Sequence, residues 1–585
     1  MSISRVSDLL DMYQDRYRKT DVFGERRDGH WIGCSSTDFV RLVNEISLGL
    51  LELGVCKGDK IGIMSANRPE WNFVDFGTMQ IGAVTVPLYP NMSLHDLEFV
   101  LGDAGIRVLF IGNKELYKRI RSVQERIPDI RIFSFEPVDG ARSWEDVRSM
   151  GKGKNATPLG AIRAQLQADD LLTLIYTSGT TGTPKGVMLT HRNIVSNMIS
   201  CEELLPPGIG KALSFLPLCH IFERMVSYLY LYRGISIYYA ESLETIAADI
   251  RDVQPDVFTT VPRLLEKVYD KIISRGMALS GLKKGLFFWA LRLGMHYDPG
   301  IRGNAWYSFR LAMANRLVFN KWRDALGGNI KVIISGGAAL QPRLTRVFNA
   351  ARIPVIQGYG LTETSPVIAV NFLGRGNHKL GSVGRPVRGV EVVIATDGEI
   401  LCRGDNVMQG YFKRSDATAR EIDEQGWFHT GDIGRLDEDG FLFITGRKKE
   451  IFKTAGGKYV SPPAIENKFK ESPFIEYMVV VGENRRFPAA LIVPSFAFLR
   501  EWCSRKEIDV TTNEEMVKHP RVVERYQQEA NHFNGLFGQW EQIKKFALLP
   551  AEWSVDGGHL TPKLDVKRSV IIERYKQLID ELYEN

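Results

Sequence analysis

Apolar residues recur along this chain in two rhythms. From Phe39 to Leu53, and again from Trp71 to Ile81, they return at helical spacing. Around these lie strand-like runs at Lys60 to Met64, Ala83 to Leu88 and Val108 to Ile111. Strands interleaved with helices predict an α/β fold built on parallel-rich sheets, and the alternation runs on to about residue 370. From about residue 385 the texture changes to short β segments at Val390 to Ala395, Ile400 to Arg403 and Gly440 to Ile444. Thr445 to Glu450 is polar and glycine-bearing and reads as a linker, as does Lys152 to Pro158 earlier in the chain. The remainder alternates strands, Tyr477 to Val481 and Ala489 to Val493, with charged helices. A terminal helix is expected to carry Val566, Val570, Ile571, Leu578, Ile579 and Leu582 on one face. The pattern predicts a large N-terminal domain over 1–446 and a smaller α+β domain over 447–585.

The stretch richest in chemistry is LLTLIYTSGTTGTPKGVMLTH, residues 171–191. An apolar run, Leu171 to Tyr176, breaks into a loop of hydroxyls and glycines, and a second run, Val187 to Leu189, follows. Strand, loop, strand is the expectation. Gly179, Gly182 and Gly186 let the backbone approach a ligand closely. The hydroxyls of Thr177, Ser178, Thr180, Thr181 and Thr183 can donate to phosphate oxygens, and Lys185 adds positive charge. The string is not the P-loop of nucleotide hydrolases, because Lys185 follows proline and precedes glycine.

Two downstream strings have a related character. Ile333 to Leu340 (IISGGAAL) and Ile356 to Thr364 (IQGYGLTET) each read as a strand entering a glycine turn. The second presents Tyr359, Thr362 and Glu363: a ring to stack on adenine, a hydroxyl for phosphate and a carboxylate for Mg²⁺. Trp427 to Ile433 sets Asp432 after a glycine, where a carboxylate can accept from both ribose hydroxyls. Arg447 lies close enough in sequence to serve the same sugar or the α-phosphate.

These strings, in this order and spacing, resemble the adenylate-forming superfamily of acyl-CoA synthetases, peptide-synthetase adenylation domains and beetle luciferases, over nearly the whole chain. The resemblance implies layered sheets and helices in the large domain and a mobile small domain. By position it implies that Thr177, Ser178, Gly179, Thr180, Thr181, Gly182 and Lys185 wrap the ATP phosphates, with Mg²⁺ on Thr177 and Glu363. Gly336, Gly337 and Ala338, with Gly358, Tyr359, Gly360 and Thr362, fall at the adenine pocket and its phosphate side, and Asp432 and Arg447 at the ribose. Lys449 falls at the hinge. Lys453, Gly456, Gly457 and Lys458 fall in the segment completing the coenzyme A site.

Leu216 to Arg224 (LPLCHIFER) and Val261 to Tyr269 (VPRLLEKVY) resemble the long-chain fatty acyl-CoA synthetases. This implies ATP-dependent activation of a fatty acid to acyl-AMP, then transfer to coenzyme A, with His220 lining the carboxylate pocket. Lys185 and Glu363 join it as catalytic candidates. The family's C-terminal string, LTPTxKxKR, appears here as Leu560-Thr-Pro-Lys-Leu-Asp-Val-Lys-Arg568. Asp565 stands at the usual lysine position, so Lys563, two residues earlier, is assigned to adenylation and Lys567 is the alternative. Two rivals stay in view: an acyl-AMP ligase or luciferase-like enzyme sharing only the adenylation step, and an impaired acyl- or nucleotide-binding relative, which loss of the catalytic lysine would favour.

Composition adjusts this reading only slightly. Across 585 residues the net charge is +6, too small for a nucleic-acid binder but compatible with ATP, coenzyme A or an anionic membrane surface. The six cysteines form no C-x-x-C pair, which argues against a metal framework and for a reducing, cytoplasmic setting. No signal-peptide core or apolar run of membrane-spanning length is evident. Homodimerisation is left open. Between Met277 and Leu326, Lys283, Lys284, Arg292, Arg302, Arg310, Arg316, Lys321 and Arg323 alternate with Phe287, Phe288, Trp289, Trp306, Tyr307 and Phe309. Helices with one face in the core are the favoured expectation, and peripheral contact with the inner face of a membrane is the alternative.

Overall fold

A computed structural model describes residues 3–584 apart from 125, 128, 178–182, 243, 302, 555–556 and 562–565. The chain divides into two compact units. The first comprises Met1–Val393, Leu401–Thr430 and Asp437–Leu442; the second comprises Ile394–Ile400, Gly431–Leu436 and Phe443–Asn585.

Two large sheets organise the first unit. One runs Gly410–Tyr411, Lys185–Thr190, Leu171–Thr177, Val84–Pro87, Lys60–Met64, Val108–Ile111, Arg131–Ser134 and Arg142–Ser143. From Leu171–Thr177 to Arg142–Ser143 its strands pair in parallel, while Lys185–Thr190 runs antiparallel to both neighbours, and runs such as Val108–Ile111 are buried throughout, as strands covered on both faces must be. The other sheet has nine strands. At its centre Val257–Thr260, Val332–Ser335 and Val355–Gly360 lie parallel and adjacent, so their carboxyl ends open on one side. The Pro69–Gln80 helix is buried on every side, with proline in its first turn.

Some sequence expectations change in three dimensions. Gly358 to Gly360 lies within the Val355–Gly360 strand rather than in a turn, paired antiparallel with Val367–Val370. A Cβ on Gly360 would stand 1.7 Å from the Pro366 carbonyl oxygen, so glycine serves close strand approach here. The supposed linker at Thr445 continues the Leu442–Arg447 strand, and only then does the chain turn. Its polar side chains are exposed, which hid the strand from a hydrophobic pattern. Thr157 of the other supposed connection begins the Thr157–Gln165 helix, with Pro158 in its first turn.

In the second unit, Ile475–Val481, Ala489–Pro494 and Lys545–Leu548 form a sheet covered by the Pro462–Phe469 and Pro520–Asn534 helices. The core includes Ile465, Met478, Leu491, Leu499, Tyr526 and Ile571. The terminal helix is two, Arg568–Arg574 and Lys576–Glu584. Val566 precedes them in a bridge to Leu560, and Val570 is exposed; Ile571 and Ile579 supply the buried contacts.

Candidate active site

The Leu171–Thr177 and Lys185–Thr190 strands pair antiparallel in a register that sets Thr177 opposite Lys185. The hydroxyl-rich loop therefore starts and ends at one rung of the sheet, with a hydroxyl on one strand and an ammonium on the other. Ser178, Gly179, Thr180, Thr181 and Gly182 lie outside the described residues.

The neighbouring strand brings in a residue that the sequence reading missed. Tyr411 pairs with Val187, and its buried ring lies 4.9 Å from the Lys185 ammonium. Its hydroxyl donates to Glu363 Oε1 at 2.9 Å, and burial together with the Glu363 charge raises the phenol above its ordinary value. Glu363 sits in the Thr362–Thr364 turn that follows the Val355–Gly360 strand. Its carbonyl accepts from Met408 N at 2.8 Å. Lys185, Tyr411 and Glu363 thus form one chain of contacts joining the two large sheets. The flanking string QGYF gave no warning, since an isolated tyrosine between glycine and phenylalanine reads as core.

A second group gathers at the carboxyl ends of the parallel strands. Gly336 follows Ser335 directly and donates to the Thr260 carbonyl at 3.1 Å. Its Cβ position would meet the Phe222 ring at 3.0 Å, and Gly337 adopts φ +82°, so both positions favour glycine. Phe222 lies in the first turn of the Ile221–Tyr232 helix. His220 caps that helix, Nδ1 accepting from Phe222 N at 3.2 Å. His220 and the Gly336–Gly337 turn are therefore neighbours through Phe222. Ala338 is exposed beyond the turn, while Tyr359 and Thr362 follow on the adjacent strand and turn.

The same helix carries two buried charges whose burial the motif did not announce. Arg224 pairs with Asp75 at 2.5 Å and also donates to Thr173 Oγ1 at 2.8 Å and to the Tyr228 hydroxyl at 2.7 Å. Tyr228 and Thr85 donate to the Asp75 carboxylate at 2.5 Å and 2.8 Å. Thr173 belongs to the strand that delivers Thr177. The network thus fixes the His220-bearing helix to the strand that leads into the hydroxyl-rich loop. Glu223 is fully buried and accepts from Thr259. Desolvation raises its pKa to about 7, against the lowering effect of hydrogen bonds from Ser214 and Thr259.

In the second unit, Arg447 Nε donates to the buried Asp432 carboxylate at 2.9 Å. Lys448 pairs with Asp397 and Glu399, each at 2.7 Å, and its backbone N–H donates to the Gly431 carbonyl at 2.8 Å. Lys449 follows in an exposed turn. Lys453 ends one strand of the Phe452–Lys453 and Tyr459–Val460 hairpin. Gly456, Gly457 and Lys458 form its turn, closed by Thr454 N to the Lys458 carbonyl at 3.0 Å. Lys453 lies over the Tyr459 ring at 4.7 Å and Lys458 over Trp540 at 5.5 Å. Lys563 and Asp565 lie outside the described residues. Lys567 occupies the N-cap position of the Arg568–Arg574 helix without a side-chain capping hydrogen bond. Among the described residues, no cluster of three or more His, Cys, Asp or Glu could hold a metal.

Residues 17–412 match the family described as AMP-binding enzyme, and residues 450–585 match the AMP-binding enzyme C-terminal domain. The chain is 34% identical over 563 residues to a long-chain-fatty-acid–CoA ligase, FadD15, of Mycobacterium bovis, covering 95% of this chain and 93% of that protein. It is 33% identical to fatty acyl-CoA synthetase A of Dictyostelium discoideum, covering 96% and 87% respectively. Among solved structures, the A domain of a carboxylic acid reductase from Segniliparus rugosus superposes with a TM-score of 0.76 at 20% identity, covering 99% of this chain and 94% of that one. The chain has the adenylate-forming fold and belongs to the AMP-binding enzyme family.

Proposed function

We propose that the protein is an ATP-dependent long-chain-fatty-acid–CoA ligase. In the first step a carboxylate oxygen of the fatty acid bonds to the α-phosphorus of ATP, and the bond to the bridging oxygen breaks, releasing pyrophosphate. In the second step the coenzyme A thiolate bonds to the acyl carbon, the acyl–oxygen bond breaks and AMP leaves.

The observation that carries this reading is the Thr177–Lys185 rung tied through Tyr411 to Glu363. A carboxylate is a weak nucleophile, so catalysis rests on positioning and on neutralising phosphate charge. Lys185 supplies a cation at the loop's end. Tyr411 fixes one carboxylate oxygen of Glu363. Thr177 and Glu363 offer hard oxygen donors that fit Mg²⁺, an ion that keeps water and phosphate oxygens beside one or two protein ligands. When bound, Mg²⁺ neutralises phosphate charge and orients the leaving group. The Gly336–Gly337 turn and Tyr359 receive the adenine, His220 faces the carboxylate pocket, and Asp432 with Arg447 holds the ribose. Lys563 reaches the α-phosphate during adenylation, and the Lys453–Lys458 hairpin serves the thioester step.

Product analysis with ATP, coenzyme A and a panel of carboxylates tests the assignment. AMP and acyl-CoA are expected from fatty acids of roughly twelve carbons or longer, with preference rising as each buried methylene adds about 0.8 kcal/mol. Equal turnover of acetate or an aromatic acid contradicts the long-chain assignment, and AMP without thioester contradicts the second step.

A further inference from the structure

His220 stands at the end of a loop that has no regular structure of its own. Residues 215–220 leave the Lys211–Ser214 strand, pass through a bend and a turn, and enter the Ile221–Tyr232 helix. His220 Nδ1 accepts from Phe222 N, so the imidazole carries its proton on Nε2. An Nε2–H group is a donor suited to a carboxylate oxygen, and where it aims is set by the shape of the loop.

That shape is fixed by two polar side chains with no place yet in the proposed reaction. Asn67 lies between the Lys60–Met64 strand and the Pro69–Gln80 helix. Its Nδ2 donates to the Leu216 carbonyl at 2.7 Å and to Ser214 Oγ at 3.1 Å, and its Oδ1 accepts from Leu218 N at 2.9 Å. The amide thus grips the loop backbone through one carbonyl and one N–H, as a neighbouring strand would. His220 N closes the turn onto the Pro217 carbonyl at 2.9 Å.

Glu223 fastens the other end. It sits in the first turn of the helix, fully buried, with its carboxyl facing Ser214 and the Thr259 hydroxyl, which donates to Oε2. Ser214 therefore meets both Asn67 and Glu223, and the entry and exit of the loop are tied to one point on the sheet. Thr260, beside Thr259, accepts from Gly336 N at 3.1 Å, so the same anchorage extends to the glycine turn that packs on Phe222. Polar groups in such surroundings are costly unless each meets its partner, so they hold one loop geometry where apolar side chains would only fill space.

We propose that Asn67 and Glu223 are positioning residues that hold the loop so that His220 Nε2 meets the carboxylate of the fatty acid. The assignment rests on the ligase reading, and ATP–pyrophosphate exchange driven by palmitate tests the two separately. N67A should raise the KM for palmitate about tenfold or more, while the KM for ATP stays within about twofold of wild type. E223L should behave in the same way, and E223Q, which keeps an acceptor for Thr259, should restore the wild-type palmitate KM. Because Asn67 acts through His220, N67A should cause no further loss in an H220A background. Asn67 is only half-buried, so N67A carries the test by itself where E223L fails to fold. An unchanged palmitate KM in N67A, parallel rises in both KM values, or full additivity with H220A overturns the proposal and leaves the ligase reading standing. A wild type without palmitate-dependent exchange overturns the ligase reading, and the proposal with it.

Discussion

At Glu223, burial and acidity are coupled in a way that makes a pH prediction. Its folded pKa of about 7 lies above the ordinary carboxyl value of 4.5, so the folded state holds the proton more tightly than the unfolded one. Its contribution to stability is therefore greatest below pH 4.5 and is lost as pH rises towards 7. Glu223→Gln keeps a neutral side chain at every pH. The variant should gain on the wild type by about 3 kcal/mol between pH 4.5 and 7, read as the difference in apparent denaturation midpoints at the two pH values. A difference that does not grow across that window contradicts a proton-holding Glu223. Also at this scale is Lys563, assigned to adenylation because Asp565 takes the family's usual lysine position. Lys563→Ala should lower ATP–pyrophosphate exchange about a hundredfold, the scale of one transition-state donor, and spare transfer from preformed acyl-adenylate. A near-normal exchange rate would move the role to Lys567, and Lys567→Ala run beside it reads that outcome. Hydrophobic patterning did not reveal Asp75, Glu223 or Arg224 as buried, because charge ordinarily marks solvent. What makes their burial tolerable is mutual pairing or protonation, which arises only when distant segments meet.

Elements were more legible than the contacts between them. The Ser36–Glu52 helix and the Val108–Ile111 strand announced themselves through periodicity and continuous apolarity. So did the two strands flanking the hydroxyl-rich loop, since an apolar run broken by hydroxyls and glycines has few other structures open to it. The errors share a cause. At Gly360 and at Thr445, glycine or exposed polar residues were read as punctuation, yet the backbone continues in a strand because a neighbouring chain segment approaches or the face looks to solvent. The turn after Arg447 carries the hinge proposal. Lys449 stands there, and a hinge absorbs its change of φ and ψ in a few residues. Lys449→Pro fixes φ and should leave pyrophosphate exchange near wild type while lowering thioester formation by about tenfold or more. Equal loss of both half-reactions would place the hinge elsewhere or indicate damage to the fold.

For the whole molecule, the two family matches fall largely in the large and the small unit in turn, and the candidate residues are divided between the units. Lys185, Glu363 and His220 belong to the first unit, Asp432, Arg447 and the Lys453–Lys458 hairpin to the second. The central claim is that the fatty carboxylate attacks the α-phosphate, and oxygen transfer reports it directly. With the fatty acid labelled with ¹⁸O in both carboxylate oxygens and supplied with ATP and coenzyme A, each turnover should leave one labelled oxygen in AMP and one in the thioester carbonyl. The readout is mass spectrometry of AMP, acyl-CoA and pyrophosphate from a single reaction. Label in AMP and none in pyrophosphate is the predicted result; unlabelled AMP, or label carried into the pyrophosphate or into free phosphate, would contradict it.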